Sequence, residues 1–512
     1  MKGYINCKIY KNDATAFLVN GNIIEQIGTD EEIQKELSEL DECIDLNGML
    51  VLPGFIDSHM HILNLGQYLN NVMLSDCATT EEVLEKVKNH METHESAWIV
   101  GRGYHGELNK QQLDAISKEK PIALTRVCGH VMTVNSKALE IAGIEEDTAV
   151  EGGQILFDSG RVEENAIYLI HEKMPEPDDD TLKEYIRIGA QYCNAHGITT
   201  VGSDDFLSIV KDPKRILNIF EQMSYQEKLT VRVNEQCEFE NINQFAEFLD
   251  DGYTMDVGND FFRIGPLKLI TDGSLGARTA AMANPYHDDP STRGGMTMSD
   301  EDIEMFVRLA NKFNMPTICH AIGDKAVDKV LAVFKDTVLE GNPLHHGLVH
   351  CQIMRQSQID QVVRQKLSCY IQSQFIDYDA SIYKDRVGNV LAKTSYPFKT
   401  LYEGTLVSNG SDSPVELNDP LLGIQLACTR KSIHFGGEMS QEECLDLDQA
   451  IASFTDNGAK QLFMDDRLGY IKEGYIADFV VLEEDITKKD INEVADTRVM
   501  MTVMDGKVVF ER

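Results

Sequence analysis

The sequence predicts an α/β fold: a (β/α)8 TIM barrel with a small β-sandwich built from both termini and an insertion after the first barrel strand. Three observations point there. Strand-like apolar runs alternate with helical stretches from about residue 54 to 464, the pattern of parallel βα units. Hairpin signals stand at both ends of the chain. The gap between the first and second strand candidates is far too long for one helix.

At the N-terminus, Ala16-Phe17-Leu18-Val19 and Ile23-Ile24-Glu25-Gln26-Ile27 flank Asn20-Gly21, a two-residue hairpin signal. At the C-terminus, Val499 to Met504 and Lys507-Val508-Val509-Phe510 flank Asp505-Gly506, and Ala477 to Leu482 reads as a further strand. Short hairpins need a partner sheet, so residues 1–53 and 465–512 are expected to meet in one sandwich. The eight barrel candidates are Leu52–His59, Thr199–Gly202, Thr230–Val233, Gly265–Ile270, Pro316–Cys319, Gly347–His350, Leu367–Gln372 and Thr405–Asn409. Helical stretches such as Ile303–Phe313 and Lys325–Phe334 separate them at (β/α)8 spacing. Residues from roughly 65 to 185 then form an inserted subdomain, expected as a lid over the barrel mouth.

Composition bounds the partners. The 512 residues carry 84 acidic against 47 basic side chains, a formal charge of −37. That balance excludes nucleic acid and anionic membrane as main partners, since both need clustered Lys and Arg. Usage of 42% hydrophobic and 26% charged residues is that of a globular chain. No signal-peptide core and no run of about 18 apolar residues is present. The eleven cysteines are odd in number and contain no C-x-x-C pair. A reducing, cytoplasmic location without disulfides is therefore expected, with Cys319 and Cys351 as packing residues.

The most informative phrase is Leu52-Pro53-Gly54-Phe55-Ile56-Asp57-Ser58-His59-Met60-His61. Alternate strand residues point the same way, so His59 and His61 can present two imidazoles to one ion. The end of a barrel strand is where active sites collect. Alone, such a pair also fits two ordinary histidines after a buried strand. His320, His350 and Asp412 end or follow the fifth, sixth and eighth strand candidates, and together the five residues read as a metal site. Each has a plainer alternative: a histidine bonded to a carbonyl, or an aspartate capping a helix. Lys268 lies in an apolar fourth strand, where a charge is costly unless paired. Its free amine can react with carbon dioxide to give a carbamate, an anionic bidentate ligand. The alternative is an ion pair with Asp272 or Glu164.

These motifs resemble the YtcJ-like branch of the amidohydrolase superfamily, the amidohydrolase family 3 group that includes AepA-like proteins and N-substituted formamide deformylases. The resemblance runs over almost the whole chain. It takes in Leu52–His61, Gly101-Arg102-Gly103-Tyr104, Gly129-His130, Asn135 to Leu139, and Lys268 with Asp272 to Gly276. It continues through His320 to Asp324, His350-Cys351-Gln352, Gly410 to Val415 and Gly469 to Asp478. It implies one or two zinc-type divalent ions on His59, His61, His320, His350 and Asp412, with carbamylated Lys268, preferred over Glu164, as the further anionic ligand.

The implied reaction is hydrolysis of an amide, formamide or cyclic amide C–N bond by a metal-activated hydroxide. Asp412 would move the proton, and His130 would bind the oxyanion or orient the substrate. Asp272 and Arg278 are further pocket candidates. Three departures bear on the substrate: Val349 where the family often has Glu, Tyr104-His105 where it often has Trp, and Arg161-Val162-Glu163 before Glu164. A mononuclear aminohydrolase (deaminase) is the closest rival, although deaminases carry Glu where this chain has Gly323. A metal-binding regulatory protein without turnover is the other alternative. The expected partner is a small-molecule substrate; a homo-oligomer is left open.

Overall fold

Eight strands pair in one parallel sheet in the order of the chain. They are β1 (Phe55–Met60), β2 (Ile198–Ser203), β3 (Arg232–Cys237), β4 (Phe262–Ile270), β5 (Thr317–Ala321), β6 (Gly347–His350), β7 (Ser368–Ile371) and β8 (Val407–Asn409). The computed structural model describes residues 1–93, 96–126, 130–150, 152–255 and 257–512. The sheet closes on itself where the Asp412 N–H donates to the His59 carbonyl and the His61 N–H to the Ser413 carbonyl, both at 2.8 Å. This is the TIM barrel expected from the alternating pattern, with helices such as Asp300–Lys312 and Asp324–Thr337 between successive strands.

Gly410 permits the closure. A Cβ there would lie 2.6 Å from the His59 nitrogen and 2.8 Å from its carbonyl oxygen. Only a residue without a side chain lets the chain after β8 approach β1 this closely.

One expected element is corrected. Leu52–His59 is not a single strand: Leu50–Pro53 belongs to a different sheet, and the barrel strand starts at Phe55. Gly54 is the switch point. Its N–H donates to Asp478 at 2.9 Å, and a Cβ would sit 2.3 Å from Thr199 Oγ1. Pro53 has no N–H to extend the ladder. A smaller correction concerns the first hairpin, whose turn is Gly21-Asn22, with Asn20 still in the strand. The third strand begins at Arg232 and runs to Cys237, past the Val233 end that the apolar pattern suggested.

Leu50–Pro53 pairs with Phe479–Leu482 in a five-stranded sheet, completed by Lys8–Ile9, Val499–Met504 and Lys507–Glu511. A four-stranded sheet holds Lys2–Ile5, Ala16–Asn20, Ile23–Gly28 and Glu42–Asp45. Their shared core centres on Tyr4, Phe17 and Phe479, with ring centroids 5.0 to 5.1 Å apart. Arg232 on β3 fastens this sandwich to the barrel. It is 2% exposed, grips Asp478 through two bonds of 3.0 and 3.1 Å, and reaches Asp505 at 3.1 Å.

The chain divides into two compact units: residues 1–65 with 189–512, and residues 66–188. The second unit has a six-stranded sheet in the order Gly153–Leu156, Arg161–Glu164, Val131–Val134, Ile122–Arg126, Ile99–Tyr104, Val72–Met73. It packs around two apolar clusters, one about Met132, Leu139 and Ile170, the other about Val87, Ile99 and Leu113. No helix among the described residues is long and apolar enough to cross a membrane. All ten described cysteines are free thiols.

The barrel also carries a pH-sensitive joint. The backbone N–H of Thr317, at the start of β5, donates to His346 Nδ1 at 3.0 Å. Burial lowers the His346 pKa from 6.5 to about 4, so the native ring stays neutral where the unfolded ring takes up a proton. The unfolded state binds more protons between these values, and stability falls as pH drops from 6.5 towards 4. The loss is about 1.4 kcal/mol per pH unit. Urea unfolding of wild type and His346→Gln across this window should show the steeper decline in the wild type. Parallel declines would refute the assignment.

Candidate metal centre

The barrel's strand ends bring five of the sequence-selected residues together. His59 lies on β1 and His61 just beyond it; His320 is on β5, His350 ends β6, and Asp412 follows β8. Asp412 Oδ1 is 3.3 Å from His59 Nε2 and 3.1 Å from His61 Nε2. His350 Nε2 is 2.8 Å from His320 Nδ1, and the His59 and His350 rings are 5.8 Å apart. Donor atoms of His59, His350 and Asp412 all lie within 4.8 Å of one another.

The outward nitrogens decide what the inward ones offer. Gln236 on β3 commits its amide nitrogen to the Ser58 carbonyl at 2.8 Å, so its oxygen must accept from His59 Nδ1 at 2.6 Å. Gln372 repeats the arrangement, its nitrogen on the Tyr370 carbonyl at 3.1 Å and its oxygen on His350 Nδ1 at 2.8 Å. The Asp204 carbonyl accepts from His61 Nδ1 at 2.6 Å, and the Gly273 carbonyl from His320 Nε2 at 3.1 Å. In their neutral forms all four rings therefore turn a lone pair inward. Such outward partners are what orient metal-ligating histidines.

Electrostatics follows from that crowding. Burial and the charge of Lys268 lower His59 to about 4. Burial and the neighbouring His320 take His350 well below its ordinary value. Burial opposes charge on His61, but its bond to Asp412 and the charges of Asp204 and Asp412 outweigh that and raise it to about 9. Burial would also raise Asp412, yet hydrogen bonds from His59 and His61 hold it well below the carboxylate range. The backbone is strained at the same places, with left-handed φ of 83° at His350 and 58° at Asp412.

The donor set fits a divalent cation. Two imidazole lone pairs facing each other at 2.8 Å repel unless a proton or a cation lies between them. Ligand atoms sharing an ion at about 2.0–2.1 Å sit roughly 3 Å apart, and the contacts among these residues are of that length.

Lys268 is 1% exposed in β4. Its Nζ is 3.3 Å from His59 Nε2 and 3.2 Å from Asp204 Oδ2, so its carboxylate partner is Asp204 and neither Asp272 nor Glu164. Asp272 is a backbone anchor, accepting from Ile322, Gly323 and Ala281 at 3.0, 2.8 and 2.8 Å. Arg278 pairs with Asp288 at 2.8 Å. Glu164 and His130 belong to the second unit, where they meet each other at 3.2 Å with side chains 58% and 69% exposed. Gly129, which preceded His130 in the motif, lies outside the described residues.

Sequence reasoning missed Asp204, Gln236 and Gln372. Asp204 and Gln372 directly follow β2 and β7, a position that carries signal once the barrel is assumed. Gln236 was hidden because the run Arg232-Val233-Asn234-Glu235-Gln236 looks too polar for a core strand.

Comparison with known proteins agrees with this geometry. A model of the amidohydrolase family matches residues 42–510. The chain is 31% identical to the Bacillus subtilis protein YtcJ over 100% of this chain and 98% of that one. It is 25% identical to the N-substituted formamide deformylase of Arthrobacter pascens, over 98% and 95% of the two chains. The crystal structure of an uncharacterized metal-dependent hydrolase from Pyrococcus horikoshii OT3 superposes with a TM-score of 0.79 at 26% identity, covering 96% of this chain and 99% of that one.

Proposed function

The chain belongs to the amidohydrolase family and is a metal-dependent hydrolase; from that premise we propose that it cleaves the carbon–nitrogen bond of a small amide, either a formamide or a cyclic amide. The observation that carries the reading is the inward convergence of four imidazole lone pairs and the Asp412 carboxylate at the strand ends. His59, His61, His320, His350 and Asp412 would hold one or two divalent ions, zinc first among them because its ligands are nitrogen and carboxylate oxygen. Such an ion supplies Lewis acidity, polarising a carbonyl and making water a nucleophile near neutral pH.

The chain's own residues do the rest. Gln236 and Gln372 fix the tautomers of His59 and His350, so those ligands arrive with their lone pairs aimed. Asp412 holds its carboxylate ionised, the form that accepts a proton from water and returns it to a leaving amine. Of the two candidates for a further anion, Lys268 is supported by its place on β4 beside His59; as a carbamate it would add a bidentate oxygen pair. The name of the Arthrobacter pascens relative also supports an amide substrate.

Position 323 favours amide hydrolysis over deamination. A Cβ on Gly323 would lie 2.1 Å from the Ala281 carbonyl oxygen, so the glutamate expected of a deaminase has no room there.

Metal analysis of the natively purified protein should find about one to two divalent ions per chain. Chelation should abolish turnover of amides, and zinc or manganese should restore it. A metal-free protein with full activity would overturn the reading, as would ammonia release from an aminated heterocycle in place of amide cleavage.

A further inference from the structure

We propose that the cavity beside this centre receives a positively charged group of the substrate, an ammonium or guanidinium several bonds from the scissile amide. The inference rests on the amidase reading and narrows its substrate. The cavity, of about 170 Å³, is lined by Ile322, Gln352, Phe375, Tyr378, Asp379 and Glu416 among others. It opens from the same strand ends. Ile322 and Gln352 follow His320 and His350 by two residues, and Glu416 follows Asp412 by four. The Phe375 ring stacks on His350 with centroids 6.0 Å apart.

Two carboxylates face this mostly apolar space, neither in an ion pair among the described residues, with Arg386 and His434 acting on them only from longer range. Asp379 is 7% exposed. One of its oxygens accepts from Tyr396 at 2.7 Å and from Gln352 Nε2 at 3.3 Å, and the other accepts no hydrogen bond among the described residues. Glu416 makes no ion pair or hydrogen bond among the described residues, and burial beside Asp377 and Asp379 pushes it up to about 7. The nearby cations are engaged elsewhere: Arg386 and Arg278 both hold Asp288, and His434 holds Asp377.

Gln352, 3% exposed, belongs to the same lining and lies against Asp379. The lining adds the aromatic rings of Phe375 and Tyr378. Carboxylates and aromatic rings are the partners of a nitrogen cation. A neutral group would leave the two acids facing each other uncompensated.

The test uses two formamides of equal length on the metal-loaded protein: N-formyl-1,4-diaminobutane, with a terminal ammonium, and neutral N-formylpentylamine. The ammonium compound should be favoured about tenfold or more in kcat/KM, and Glu416→Gln should cut that preference to about threefold or less through KM. Equal rates, or preference for the neutral compound, would overturn the proposal. If neither is hydrolysed, the formamide reading fails, and calorimetry decides the cation site separately. Tighter binding of the ammonium compound, weakened by Glu416→Gln, supports it; equal binding refutes it.

Discussion

Replacing Asp412 by Asn is expected to lower amide turnover about 10²- to 10⁴-fold, the range lost when a positioned acid–base group is removed. The substitution keeps the shape of the side chain and the 2.8 Å backbone bond from residue 412 to His59. It removes the charge that His59 and His61 face at 3.3 and 3.1 Å. Metal content measured on the same sample separates the two parts Asp412 is given. Retained metal with lost turnover assigns the loss to proton transfer, whereas lost metal assigns it to ligation. A variant keeping more than a tenth of wild-type kcat would eliminate Asp412 from the mechanism.

The largest stability effect is expected at Arg232. Arg232→Leu should destabilise the protein by about 3–5 kcal/mol, because it strands Asp478 as a buried charge without its countercharge. Pairing it with Asp478→Leu should recover part of that loss, since two apolar groups leave no orphaned ion. Thermal unfolding of the two single variants and the double variant closes the cycle. A double variant less stable than both single ones would show that the fork to Asp505 and the Asp260 carbonyl matters more than the pair itself.

The sequence made the barrel visible through short apolar runs such as Phe55-Ile56 and Gly347-Leu348-Val349, which open strands buried along their whole length. It showed His59, His61, His320, His350 and Asp412 because each stands at a strand end with an unusual side chain. What it hid depends on partners distant in the chain. Arg232 looks like a surface residue until Asp478, 246 positions on, neutralises it. Gln236 has no meaning until it meets His59 across 177 positions. Asp204 is one acid among 84 until Lys268 is placed against it. The break at Gly54 escaped for a related reason: residues 49–56 form one uncharged, mostly apolar run, and only three-dimensional pairing divides it between two sheets.

That division at Gly54 couples the sandwich to the position of His59 rather than leaving it an appendage. Four residues separate Gly54 from His59, and the chain between them is extended, so tension or slippage in the outer sheet is handed to His59 with no loop to absorb it. A barrel transplanted without residues 1–53 and 465–512 would lose the anchorage that sets the register of β1. Engineering of this scaffold therefore has to treat the two chain ends and the metal centre as one mechanical piece.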